Sequence, residues 1–127
     1  FAARGLSVTG LDVNPVMLVE ARKFIPTGTF EEGVAERLPF KDASFDVIFM
    51  GLVLHETDYL QKVFDEGYRV VRKRLAILEW PYYVQDFGPP LEHRLSFERI
   101  SFAADQSGFM PTEKVNLANL VLYLYKK

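Results

Sequence analysis

Along this chain, short apolar runs alternate with segments whose apolar residues recur every three or four positions, a pattern that predicts strands interleaved with helices. Residues 7–13 read as a short strand, and Asn14 and Pro15 after it supply a helix N-cap and a favoured first helical residue. Met17, Ala21 and Phe24 mark the apolar face of that helix, which Pro26 stops. Residues 27–34 form a second strand, and residues 37–44, with Pro39 and Asp42, form a loop. Residues 45–51 are a near-continuous apolar run, as in a parallel strand covered on both faces. Asp58 and Gln61 give a capping-box-like start to a helix carrying Leu60, Val63, Phe64, Gly67 and Val71. Residues 75–80 are another buried strand, and residues 81–95, with Pro89-Pro90, are irregular. Ser96 caps a helix with Phe97, Ile100 and Ala104, which Gly108 ends. Two closing strands, residues 112–117 and 120–125, lie too close for a parallel crossover and are expected to pair antiparallel.

This order implies an α/β fold with a mainly parallel sheet and helices on both faces. With 127 residues, one domain spanning residues 1–127 is expected. The first residues, Phe1 to Gly5, read as the last turn of a helix closed by glycine, so Phe1 looks like a cut site in a longer domain.

Composition narrows the chemistry. Hydrophobic content of 49% with 25% charged residues is that of an ordinary globular protein. A net charge of −2 gives no broad attraction for nucleic acid or anionic lipid, so neither is an expected partner. The cluster Arg72-Lys73-Arg74 is read as a basic helix end, favoured by the helix dipole. No cysteine is present, which excludes disulfides and thiolate catalysis, and His55 and His93 are too far apart in the chain to suggest a metal site. No apolar run approaches the ~18 residues of a membrane span, and no signal-peptide pattern occurs. A cytoplasmic location is the expectation.

In open α/β sheets, ligands bind beyond the carboxyl ends of the strands. Asp12 stands at such an end, where a carboxylate can accept hydrogen bonds from both ribose hydroxyls, or can equally serve as a cap. The run Gly33-Val34-Ala35-Glu36-Arg37-Leu38-Pro39-Phe40-Lys41-Asp42-Ala43-Ser44-Phe45-Asp46 says more. It resembles the GDAExLPFxDxSFD block of the class I, Rossmann-like methyltransferases that use S-adenosylmethionine, especially the type 11 group similar to ubiquinone and menaquinone biosynthesis enzymes. Met50-Gly51-Leu52-Val53-Leu54-His55-Glu56, the turn Leu11-Asp12-Val13-Asn14, and the stretch Gly88 to Ser96 resemble segments of the same proteins in the same order.

The resemblance implies S-adenosylmethionine as cofactor and a small-molecule methyl acceptor. It implies that Asp12 holds the ribose hydroxyls, Val13 packs on the adenine, Ala35 presents backbone to the adenine edge, and Met50 and Leu52 line the wall beside the cofactor. Relatives often carry aspartate at the position of Val34, which cannot accept a hydrogen bond from the adenine amino group, so either adenine affinity is lower or Glu36 substitutes. Relatives also tend to carry Pro-Gly-Gly where this chain runs Val71-Arg72-Lys73-Arg74-Leu75, which implies a tight, shortened turn. The family's first strand and glycine-rich loop are missing, the loop being expected about eight residues before Phe1. Activity of the chain by itself is therefore expected to be impaired. The strands ending at Asp12 and Gly51 would then present apolar edges that close on each other or on a second chain, as in a homodimer.

His55 is the candidate base, since an imidazole titrates near neutrality, although it could equally orient the loop that follows. His93, Trp80, Tyr82 and Tyr83 are candidates for contact with the acceptor. Two other readings stand beside the first. One is a non-catalytic paralogue or binding module that has lost cofactor use, favoured by Val34. The other is a nicotinamide-binding fragment, since an acidic strand end suits that ribose as well.

Overall fold

The computed structural model describes residues 1–127, which form two compact units, Phe1–Pro39 and Phe40–Lys127. In the first unit a short 3-10 turn, Ala2–Arg4, ends at Gly5, whose φ of 78° is the left-handed C-cap expected of glycine. Strand β1 (Thr9–Asp12), helix α1 (Pro15–Phe24) and strand β2 (Thr29–Glu32) follow as a βαβ unit. The strands pair in parallel, Thr9 opposite Thr29 through Asp12 opposite Glu32.

The face of α1 differs from the expected one. Leu18 is its buried residue, and Ala21 and Ile25, spaced three and four positions on, are half-buried, whereas Met17 and Phe24 are 54% and 82% exposed. Adjacent helical positions differ by about 100°, so a stripe through Leu18 turns Met17 and Phe24 outward.

The second unit is a four-stranded sheet in the order β3-β4-β6-β5, formed by β3 (Phe45–Gly51), β4 (Val71–Glu79), β5 (Met110–Asn116) and β6 (Val121–Lys126). β3 and β4 are parallel through the crossover helix α2 (Leu60–Val70), while β6 is antiparallel to both β4 and β5. Helix α3 (Phe97–Ser107) begins at Ser96, whose side chain accepts from the Arg99 N–H, and ends at left-handed Gly108, as expected. Val63, Phe64, Gly67 and Val70 of α2 and Ile100, Ala103 and Ala104 of α3 are buried together with Leu75 and Ile77 of β4 and Phe109. Phe64 and Tyr68 both meet Phe109 edge-on, with ring centroids 6.4 and 5.2 Å apart.

Four local expectations are corrected. First, β3 pairs with β4 alone, and Val47 and Phe49 are 55% and 44% exposed, so one face of this apolar run is open. Second, Asp58 does not cap α2: Tyr59 is its N-cap, without a side-chain bond, and Gln61 instead reaches α3, donating to Ala103 O and Ser107 Oγ. Third, α2 passes into β4 with no connecting residue between Val70 and Val71. Arg72, Lys73 and Arg74 therefore lie on the strand as an exposed run; the helix end is carried by Arg69. Fourth, the strands lie in two sheets, β1-β2 and β3-β4-β6-β5, rather than in the one sheet read from the element order. No helix is long and apolar enough to cross a membrane.

Candidate functional site

In the first unit, the parallel register brings Asp12 and Glu32 side by side at the carboxyl ends of β1 and β2, and the Gly33 N–H donates to Asp12 O at 3.1 Å. Asp12 Oδ1 accepts the Asn14 N–H at 2.9 Å, and Asn14 Oδ1 accepts the Val16 N–H at 3.0 Å. These two bonds turn the strand into α1 and fix the carboxylate with one oxygen committed to backbone. Oδ2 keeps its lone pairs for a ligand. Val13, just past the strand end, is 63% exposed. Val34 is 45% exposed and closes a turn with Arg37, whose N–H donates to Val34 O at 3.3 Å, with half-buried Ala35 and Glu36 between them.

A carboxylate held through one oxygen can accept hydroxyl donors at the other, and exposed apolar side chains after the same strand ends can meet a flat ring. Val34 offers no side-chain acceptor to that ring.

In the second unit, Met50 is 7% exposed and points into the core, where a Cβ on Gly67 would lie 3.1 Å from its Cε. The glycine thus lets α2 seat against β3. Leu52 is half-buried with φ of 57°, a left-handed conformation that costs a branched residue roughly 1 kcal/mol or more. Its N–H donates to Leu78 O at 2.8 Å, which ties this strained turn to the end of β4. The chain then enters a 3-10 turn, Leu54–Glu56, anchored by the fully buried Leu54.

That turn sets His55 against Glu79. The imidazole Nδ1 lies 3.2 and 3.0 Å from the two carboxylate oxygens, and the His55 backbone N–H donates to Oε1 at 3.2 Å. The Trp80 N–H donates to Oε2, also at 3.2 Å. Glu79 is 1% exposed, and the His55 side chain 12%. Sequence reasoning singled out His55 and missed Glu79. The available signal was a carboxylate closing the apolar run Leu75-Ala76-Ile77-Leu78 at a parallel-strand end, the same position that had drawn notice for Asp12.

Arg94 was missed too. Its guanidinium is buried and donates to the carbonyls of Pro81, Tyr83, Phe87 and Pro89 and to Gln85 Oε1, so one side chain organises residues 81–89. Tyr82, Tyr83 and Phe87 of this segment are exposed, Trp80 is half-buried, and His93 is exposed on the 3-10 turn Leu91–His93.

The acids of the Leu38-to-Asp46 block serve structure. Asp42 pairs with Arg69 at 2.9 Å and Asp46 with Arg72 at 2.9 Å. The hydrogen bond from Arg72, with its charge, holds the Asp46 carboxyl below the ordinary carboxylate range.

Residues 1–77 match the family described as a methyltransferase domain. The chain belongs to the methyltransferase domain family. Among curated relatives of this domain, demethylmenaquinone methyltransferase from Chlorobaculum parvum is 41% identical over 68 residues, covering 54% of this chain and 28% of that protein. Malonyl-[acyl-carrier protein] O-methyltransferase from Erwinia billingiae is 38% identical over 68 residues, covering 54% of this chain and 27% of that protein. The matched segment thus spans little more than a quarter of the length of these relatives. The crystal structure of a SAM-dependent methyltransferase from Aquifex aeolicus superposes with a TM-score of 0.82 at 23% identity, covering 94% of this chain and 68% of that one. At that identity the likeness establishes the fold: an α/β, Rossmann-like methyltransferase fold, as the residue pattern implied.

Proposed function

We propose that this methyltransferase domain binds S-adenosylmethionine and supports methyl transfer to a small-molecule acceptor. The observation that carries the reading is the Asp12 turn: a carboxylate fixed by Asn14 at the end of a parallel strand, followed by exposed Val13, in a chain that matches the family over residues 1–77. Asp12 would accept the ribose hydroxyls, and Val13, Val34, Ala35 and Glu36 would meet the adenine. In the second unit, Leu52 and the backbone around buried Met50 are the residues assigned to the cofactor wall.

The cofactor supplies an electrophilic methyl group on a sulfonium. The protein's task is to align the acceptor in line with it and to take a proton where the acceptor must lose one. His55 is assigned that proton. Trp80, Tyr82 and Tyr83 offer apolar surface to the acceptor. The two relatives above are named for different acceptors, demethylmenaquinone and malonyl-[acyl-carrier protein], so the acceptor class rests on this aromatic segment.

A second reading, a binding module that keeps the fold without catalysis, is favoured by Val34, which withholds an acceptor from the adenine. Calorimetric titration of the protein with S-adenosylhomocysteine and with NAD separates the cofactors. Saturable binding of the first and none of the second supports the proposal; the reverse overturns it. Binding without label transfer from methyl-labelled S-adenosylmethionine to either acceptor class favours the module.

A further inference from the structure

Glu79 lies outside every role assigned above, yet its buried carboxylate is contacted from both His55 and Trp80. Two backbone N–H groups, those of His55 and Trp80, and the ring nitrogen Nδ1 of His55 converge on a side chain that is 1% exposed. We infer that Glu79 is a positioning residue that fixes His55 as the tautomer protonated on Nδ1, leaving Nε2 as the ring's proton acceptor. The inference rests on the proposal that His55 takes a proton from the methyl acceptor.

The argument is one of donors and acceptors. A carboxylate only accepts, and Nδ1 lies within hydrogen-bond distance of both its oxygens, at 3.2 and 3.0 Å, so the ring nitrogen must donate there. A neutral imidazole has one N–H, so Nε2 then carries a lone pair. The nearest charged group to Nε2 is the exposed carboxylate of Glu56 at 4.0 Å, too far to accept a hydrogen bond. The ring's rotation is fixed by the same contacts. The backbone N–H of His55 is bound to Glu79 as well, so residue and ring turn together, and the fully buried Leu54 pins the 3-10 turn beneath them.

A merely structural Glu79 would tie the turn to the strand end through the two backbone N–H groups and leave the ring's proton indifferent. A positioning Glu79 dictates it. In Glu79→Gln, an amide nitrogen replaces one carboxylate oxygen and can donate to Nδ1, which releases the Nε2–H tautomer. An acid that holds a catalytic histidine in one tautomer can matter by orders of magnitude in rate, as the serine protease triad illustrates.

The test is long-range ¹H–¹⁵N correlation spectroscopy of the uniformly labelled 127-residue chain, at a pH where the spectrum shows the rings to be neutral. Only two histidines contribute, and His93→Gln, at an exposed loop position, assigns them. The expected result is a His55 ring protonated on Nδ1 in the wild type, with the major population shifting to Nε2–H in Glu79→Gln. A wild-type ring protonated mainly on Nε2 overturns the inference without any variant, and so does a Glu79→Gln ring that keeps the wild-type tautomer. The readout needs neither cofactor nor acceptor. Failure of the methyl-transfer proposal, seen as absence of S-adenosylhomocysteine binding, is therefore distinguishable from failure of this one.

Discussion

The Arg94 guanidinium lies 5.3 Å from the centre of the Trp80 ring, and its hydrogen bonds go to carbonyl oxygens, four of the backbone and one of Gln85. A buried cation satisfied by neutral carbonyls and an aromatic face shapes a loop without fixing a second charge there. Gly88, with φ of 79°, completes the arrangement, since a Cβ there would press on the same indole at 2.9 Å.

Removing that buried cation leaves the carbonyls of residues 81–89 without their shared donor. Arg94→Met is expected to destabilise the fold by about 3 kcal/mol, the scale of breaking a buried, hydrogen-bonded charge. Arg94→Lys should recover less than half of this, because one ammonium cannot reach acceptors spread around a planar fork. Urea denaturation measures the loss, and limited proteolysis should cut first within residues 81–89.

The first unit carries a packing constraint that its sequence shows only as two glycines. The Phe30 ring has one edge 2.7–2.8 Å from where a Cβ would stand on Gly10, and the other edge 2.8–2.9 Å from where one would stand on Gly28. The ring cannot retreat from one without meeting the other. Gly10→Ala is expected to cost about 1–3 kcal/mol, the scale of overpacking. Combining it with Phe30→Leu should cost less than the sum of the two single changes, a non-additivity that a double-mutant cycle reads directly.

Element order and the antiparallel pairing of β5 with β6 were legible in the sequence because they rest on periodicity and on start and stop signals such as Asn14-Pro15, Ser96 and Gly108, which act locally. The face of α1 was not legible, because Met17, Leu18 and Phe24 are all apolar and only the neighbouring strands decide which of them is covered. Asp12 and His55 could be named from their places after strands. Glu79 carried the same strand-end signal as Asp12, whereas nothing in the linear sequence marks Arg94, since a charged residue does not reveal that five carbonyls will converge on it. Val34 was readable only against the family's pattern.

Tyr123 gives a pH signature. Burial, with Tyr125, Glu79 and Glu98 nearby, pushes its hydroxyl up to about 12, and it stacks on Phe97 at 5.7 Å. Below pH ~10 both folded and unfolded chains hold this proton. From there to about 12 the unfolded chain loses it first, so stability falls as pH rises through that window. The loss is expected to be on the order of 1–2 kcal/mol. Tyr123→Phe should flatten the decline measured by denaturation at pH 8, 10 and 11.5; burial also raises Tyr125, whose share should persist.

At the proposed adenine position, Val34 is 45% exposed, so a polar residue costs little there. Val34→Asp supplies the missing acceptor and is expected to tighten S-adenosylhomocysteine binding about five-fold, the worth of one net hydrogen bond. Unchanged or weaker binding in calorimetry would place the adenine elsewhere.

The central claim is that Asp12 anchors the ribose of S-adenosylmethionine, and one titration addresses it. Wild-type protein and Asp12→Ala are titrated with S-adenosylhomocysteine in a calorimeter, with circular dichroism confirming that both are folded. The account predicts saturable binding at one site per chain, weakened about 10- to 100-fold in the variant by loss of charge-assisted hydrogen bonds to the hydroxyls. Absence of binding to the wild type, or equal binding by the two proteins, would contradict it.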